Sequence, residues 1–183
     1  MTVRMILATA VAAVITVTSA AAAGALNDPK TLVLQKSDFP AGAKAGQAFV
    51  VNGIVGAKGK AYTSNFFFWV GSPNQGGDEE VTSKVDVWSS AGDAAKDYKI
   101  TLATYTGFGG VTVFRLPAYG DEQYADYNPK TATGQVIVRK NGVVWRLTVD
   151  NVVGSSRRKL TKTQALSELK KYALKEKRRV GSG

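Results

Sequence analysis

The chain has 183 residues, of which 44% are apolar and 21% charged, so it is the length of one domain and can bury a core without covalent staples. It has neither Cys nor His, which excludes Cys/His zinc centres, thiol nucleophiles and imidazole bases and leaves only all-oxygen metal sites. The net charge of +10 is segregated: residues 26–156 carry 13 basic and 12 acidic side chains, whereas residues 157–183 carry 10 basic and 2 acidic.

Residues 1–25 read as a signal peptide. A positive start ending at Arg4 precedes an apolar stretch over 5–17 and a run of small residues over 19–25, with cleavage expected between Ala20 and Leu26. The second half of this segment is rich in Ala, Thr and Ser rather than in Leu, Ile and Phe, which favours a cleaved signal over a membrane anchor. With no Cys, it cannot be a lipoprotein. The expectation is a secreted, extracellular chain whose residues 26–183 form a single domain.

In the mature part the first predicted element is a strand over 31–34, followed by a turn at Ser37, Asp38, Pro40 and Gly42. An apolar island at 48–51 lies in a Gly- and Ala-rich stretch. Strands are predicted over 62–70 and 81–88 around a loop at 72–77. Phe66, Phe67, Phe68 and Trp69 read as a strand covered on both faces, and Val81, Ser83, Val85 and Val87 as the core side of the next.

A helix over 90–105 puts Ala94, Tyr98, Leu102 and Tyr105 on one side, with Ser89 or Ser90 as its cap and Gly107 as its stop. A strand is expected over 110–116, then a mixed loop and strand over 119–127. Asn141-Gly142 between two β-rich runs predicts a type I′ hairpin with pairs 140/143, 139/144, 138/145, 137/146 and 136/147. One face then carries Val136, Val138, Val143, Trp145, Leu147 and Val149, and the other Ile137, Arg139, Val144, Arg146 and Thr148.

The last element is a basic C-terminal helix over 161–180. Thr161 and Gln164 stand at capping-box spacing, Leu166, Leu169, Tyr172 and Ala173 form the apolar stripe, and Gly181 is a natural stop. The order of elements predicts an α+β domain, a mostly antiparallel β-sheet packed by two helices.

The chain resembles a group of small secreted or lipid-anchored actinobacterial α/β domains that includes LpqN-type lipoproteins and the extracellular sensor domains of PknH-like kinases. The resemblance is carried by Leu32 with Ser37-Asp38-Phe39-Pro40-Ala41-Gly42, by Ser83 to Trp88 running into an Ala-containing helix, by Tyr119-Gly120-Asp121-Glu122, and by Val136 to Leu147 with Arg139. It implies a PsbP-like or related α/β sandwich and an extracytoplasmic binding or sensing role, with no catalytic residues to carry over. Those sensor domains use disulfides, and here there are none.

The candidate ligand-binding residues are the cations of the last helix, Lys170, Lys171, Lys175, Arg178 and Arg179, together with Arg139 and Arg146 on the polar face of the hairpin. Several cations on one helix suit an anionic lipid surface, a cell-wall polymer or another envelope protein. Nucleic acid is disfavoured because no recognition motif accompanies the charge. Tyr119, Tyr124 and Tyr127 with Asp121, Glu122 and Asp126 would suit a ligand loop, but their spacing is not that of a calcium loop. No P-loop, dinucleotide fingerprint, nucleophile elbow or metalloprotease helix is present, so no catalytic residue, metal or cofactor is expected. The leading expectation is a noncatalytic binding or sensing domain of the cell envelope or extracellular space. Its rivals are a structural envelope protein and a carboxylate-dependent hydrolase.

Overall fold

The computed structural model describes residues 27–41, 43–45, 49–52, 59–69, 78–106, 109–151 and 159–181. The predicted signal segment, the loop at 72–77, the Gly107 stop and the linker before the last helix lie outside them. Eight antiparallel strands form one sheet: β1 (Lys44–Ala45), β2 (Phe49–Asn52), β3 (Gly59–Trp69), β4 (Asp78–Trp88), β5 (Thr112–Val113), β6 (Glu122–Asn128), β7 (Thr133–Lys140) and β8 (Val143–Asn151). Among the described residues three α-helices accompany them: α1 (Pro29–Leu32), α2 (Ala91–Thr106) and α3 (Lys162–Gly181). The α+β class read from the sequence is the class observed.

The body of the sheet is β3-β4-β8-β7-β6. The short β1 and β2 both pair with β3 at one edge, and β5 pairs with β6 at the other. Two meanders are thus joined at the β4–β8 pair, with α2 in the connection between them. The hairpin register is the one read from the sequence, from Val136 opposite Leu147 to Lys140 opposite Val143.

Its turn differs from the type I′ expectation. Asn141 takes a φ of 52°, but Gly142 lies outside the left-handed region. Glycine is needed at 142 for another reason: a Cβ there would stand 2.9 Å from the carbonyl oxygen of Trp88, and that tryptophan's N–H donates to the Gly142 carbonyl at 2.8 Å.

The main core lies between the sheet and α3. Val81, Val85 and Val87 of β4, Val136 and Val138 of β7, and Trp145, Leu147 and Val149 of β8 meet Ala165, Leu169, Tyr172, Ala173 and Val180. Gly134 lets the helix sit close, since a Cβ there would be 3.0 Å from Leu169 Cδ1 and 3.1 Å from Ala165 Cβ. The α3 cap is the predicted box: Gln164 N–H donates to Thr161 Oγ1 at 3.3 Å and Thr161 N–H to Gln164 Oε1 at 2.9 Å.

The opposite face of the sheet carries a second, smaller core. Trp88, Ile137 and Val144 are buried with Ala94 and Tyr98 of α2, and Leu102 and Tyr105 pack against them. Ser90 starts α2 by accepting the Asp93 N–H at 3.0 Å. The two long helices therefore cover opposite faces, and the hairpin face read as polar is half core.

Two other expectations are corrected. The strand predicted over 31–34 is the end of a short helix followed by an extended segment: Asp28 caps α1 from its N-terminal side, Pro29 presets the first turn, and Leu32, Val33 and Leu34 are buried anyway. Burial and periodicity over four residues cannot separate these two conformations. The strand predicted over 110–116 shrinks to two residues. No helix among the described residues is long and apolar enough to cross a membrane.

Candidate functional site

On the α2 side, the sheet register places polar side chains in rows. Asn128 of β6 lies opposite Thr133 of β7; one step along, Asp126, Gln135 and Thr148 line up across β6, β7 and β8; one step further stand Tyr124, Ile137 and Arg146. Helix α2 covers the Ile137 end of this grid and stops at Thr106, leaving the first two rows open. The result is a cavity of about 280 Å³ lined by Tyr105, Val111, Asp126, Asn128, Thr131, Thr133, Gln135, Arg146 and Thr148.

Among the described residues its charged groups are one arginine and one carboxylate. The Arg146 guanidinium lies 3.8 Å from the centre of the Tyr105 ring, a cation–π contact with the last turn of α2. Among the described residues it makes no ion pair, and its Nε is buried without an acceptor. The nearby Asp86 feels its charge but is already bound by Lys84 at 2.8 Å.

Asp126 is buried and accepts from Gln135 Nε2 at 3.2 Å and from the Tyr124 hydroxyl. Burial raises its pKa, and these two donors pull it back down. The same Gln135 amide also donates to the Tyr105 carbonyl at 3.2 Å, satisfying one of the acceptors left open at the end of α2. Gln135 therefore ties the helix to the cavity floor and stands between the two charges.

The α3 face holds two further acids inside the main core. Glu176 is fully buried and accepts from Ser83 Oγ, while Glu79 is buried with both oxygens unpartnered. Desolvation drives both carboxyls up to about 8. They are closed between helix and sheet, neither lines the cavity, and their chemistry is structural.

The predicted site residues separate. Arg146 lies in the cavity. Arg139 does not: it bonds Glu122 Oε2 at 2.5 Å and Asp121 Oδ2 at 3.4 Å at the hairpin end of the sheet, so two of the three acids that a carboxylate-dependent hydrolase would draw on bind an arginine. Asp126, the third, is on the same strand as Glu122 but about 13 Å further along it.

The helix cations also divide. Lys175 is half-buried and donates to the Asp38 carbonyl, and Arg179 holds the Asp38 carboxylate at 2.7 Å. Lys177 donates to the Ala118 carbonyl at 2.9 Å. These side chains flank the buried stripe of α3, and the nearest polar groups are on the segment after α1 and on the loop before β6. Lys170, Lys171 and Arg178 are on the outer face, with Leu174 exposed between them; Lys171 pairs with Glu168 at 3.0 Å.

Sequence reasoning missed Gln135, Thr133, Thr148 and Asn128 because neutral polar residues at alternate strand positions read as an ordinary solvated face. The usable signal was Arg146 of β8 and Asp126 of β6 on one face, with β7 between them, once the hairpin register is extended to β6. No protein-family model, no curated protein and no solved structure matches this chain.

Proposed function

We propose that the chain is a noncatalytic binding domain working outside the cytoplasm, and that the cavity beside the end of α2 is its ligand site. The observation that carries this reading is the lining: one carboxylate, one arginine, hydroxyls, amides and an aromatic ring. Acid–base hydrolysis by carboxylates needs two facing each other across a substrate, and Asp126 is the single acid among the described residues of the cavity. A cavity with a few convergent polar groups is what small-ligand recognition requires. Export rests on the three-part start of the chain. The antiparallel sheet with long helices on opposite faces is compatible with the PsbP-like sandwich that the resemblance implies.

Native mass spectrometry of the protein recovered from its own culture fluid tests this. The expected result is a small molecule bound to the wild-type chain and absent from Thr148→Phe, which fills the cavity. An adduct retained by the filled variant would place binding elsewhere.

A second reading concerns the outer stripe of α3, where Lys170, Lys171 and Arg178 surround the exposed Leu174. Three cations around an apolar side chain suit an anionic lipid surface. Co-sedimentation with anionic vesicles across a salt series tests it. Binding should weaken with salt and with Gln at these three positions.

A further inference from the structure

Resting on the reading of the cavity as the ligand site, we propose that the ligand is a small zwitterion of the amino-acid class, its carboxylate held by Arg146 and its ammonium by Asp126. Two opposite charges line one cavity, and among the described residues no ion pair joins them. Gln135 keeps them apart: its cross-strand partners are Asp126 on one side and Thr148 on the other, and Arg146 lies two residues before Thr148. The guanidinium rests 3.8 Å from the centre of the Tyr105 ring and makes no ion pair with Asp126.

Each charge is left with neutral company. In direct contact, Arg146 has an aromatic ring, and Asp126 has an amide and a phenol; the one carboxylate in range of Arg146, Asp86, is paired with Lys84 at 2.8 Å. A ligand bearing only an anion would satisfy Arg146 and bring its own repulsion to Asp126. One bearing only a cation would do the reverse, and an uncharged one would leave both charges desolvated without a counter-ion, which is costly. A molecule with both charges meets both, and its net charge of zero matches the cavity's. The carboxylate can take charge-assisted hydrogen bonds from a guanidinium that already rests against the Tyr105 ring. Thr133, Thr148 and Asn128 offer further hydrogen bonds, while Val111 and the Tyr105 ring leave room for an apolar stem. A volume of about 280 Å³ is at the small end of ligand cavities, which suits an amino acid better than a nucleotide or a peptide.

The test is calorimetric titration of the full mature chain with the twenty common amino acids and γ-aminobutyrate, each binder being compared with its decarboxylated amine and its deaminated acid. The expected result is that at least one amino acid binds, that either single-charge analogue binds at least tenfold more weakly, and that Arg146→Gln and Asp126→Asn each weaken binding at least tenfold at an unchanged melting temperature. If Asp126→Asn does not fold, Asp126→Glu and the analogue series on the wild-type chain decide. An acid that binds as tightly as its amino acid overturns the zwitterion, yet leaves the cavity standing as a site if Arg146→Gln still abolishes the signal. Binding unaffected by both substitutions, or no binding by any of the panel, also overturns it, and the cavity-filling variant followed by mass spectrometry tells whether the cavity reading fails as well.

Discussion

The hydroxyl of Ser83, in the middle of β4, donates to the carboxyl of Glu176 on α3 at 2.7 and 2.9 Å, and accepts the Leu34 N–H at 3.2 Å. Three segments distant in sequence meet on one buried polar group. Burial is the largest influence on Glu176 and pushes it up to about 8; the Ser83 bond opposes this, Asp38 adds to it, and Arg179 and the Leu34 backbone oppose it. Glu79 is driven to about 8 by burial and by Glu168, against Lys171.

Both carboxyls hold a proton in the folded chain at neutral pH that they would lose in the unfolded one. Raised folded-state pKa values mean that their stabilisation is complete below the ordinary value of 4.5 and is lost as pH rises through 8. Urea midpoints are therefore expected to fall between pH 5 and 8, and Glu176→Gln to flatten part of that slope because the amide needs no proton. A wild-type midpoint that is level or rises over this range would contradict the assignment.

Gly134 is where the sheet admits α3. Gly134→Val is expected to cost about 1–3 kcal/mol through overpacking against Leu169 and Ala165. Leu169→Ala alone should cost about 2–5 kcal/mol, because this side chain is fully buried. Since the larger residue at 134 fills space that Leu169 vacates, the double variant should be less destabilised than the sum of the two. A double-mutant cycle from denaturant unfolding measures the difference, and strict additivity would mean that the helix moves away instead.

Much of this fold is legible from the residues, and the gaps have physical reasons. The β7–β8 register follows from turn length and alternation, and α3 from its cap and stripe, because these are local properties. The second core under α2 was hidden because Ile137 and Val144 alternate with Arg139 and Arg146, so that face reads as mixed. The α1 segment was misread because four buried residues satisfy either period. For the site, Arg146 was identifiable as a candidate and its partners were not: Asp126 reaches the same cavity through a pairing of β6 with β7 whose turn is marked by Asn128-Pro129, a signal that sets no register.

The β7–β8 turn separates two demands that the sequence had merged. Asn141 occupies the left-handed region, so Asn141→Ala is expected to cost about 1–2 kcal/mol and Asn141→Gly much less. Gly142→Ala fails for a different reason, since its methyl would press on the Trp88 carbonyl and displace the hydrogen bond that closes the hairpin against β4. Its cost should exceed that of Asn141→Ala in thermal unfolding. Equal tolerance of Ala at the two positions would argue that the hairpin tip moves freely from β4.

Asp38 is the last test, because its exchange separates the structural cations of α3 from any that meet a partner. Its carboxylate caps the turn before it by accepting the Gln35 N–H at 2.7 Å and receives Arg179 at 2.7 Å, while its carbonyl takes Lys175. Beside it, Phe39 stacks on Tyr172 with ring centres 4.9 Å apart, so the clamp also holds an aromatic pair of the core. Asp38→Ala removes a charge-assisted cap and a partly shielded ion pair together, for an expected loss of about 2–3 kcal/mol. Lys171→Gln, which breaks an exposed pair with Glu168, should change stability by less than about 1 kcal/mol. Loosening should also expose the segment after α1, so trypsin is expected to cut at Lys36 faster in Asp38→Ala than in the wild-type chain, and Arg179→Gln should fall between them. If Lys171→Gln proves as costly as Asp38→Ala, or if Lys36 is cut no faster, the α3 cations do not anchor this segment, and Lys175 and Arg179 rejoin the outer stripe as candidates for an anionic partner.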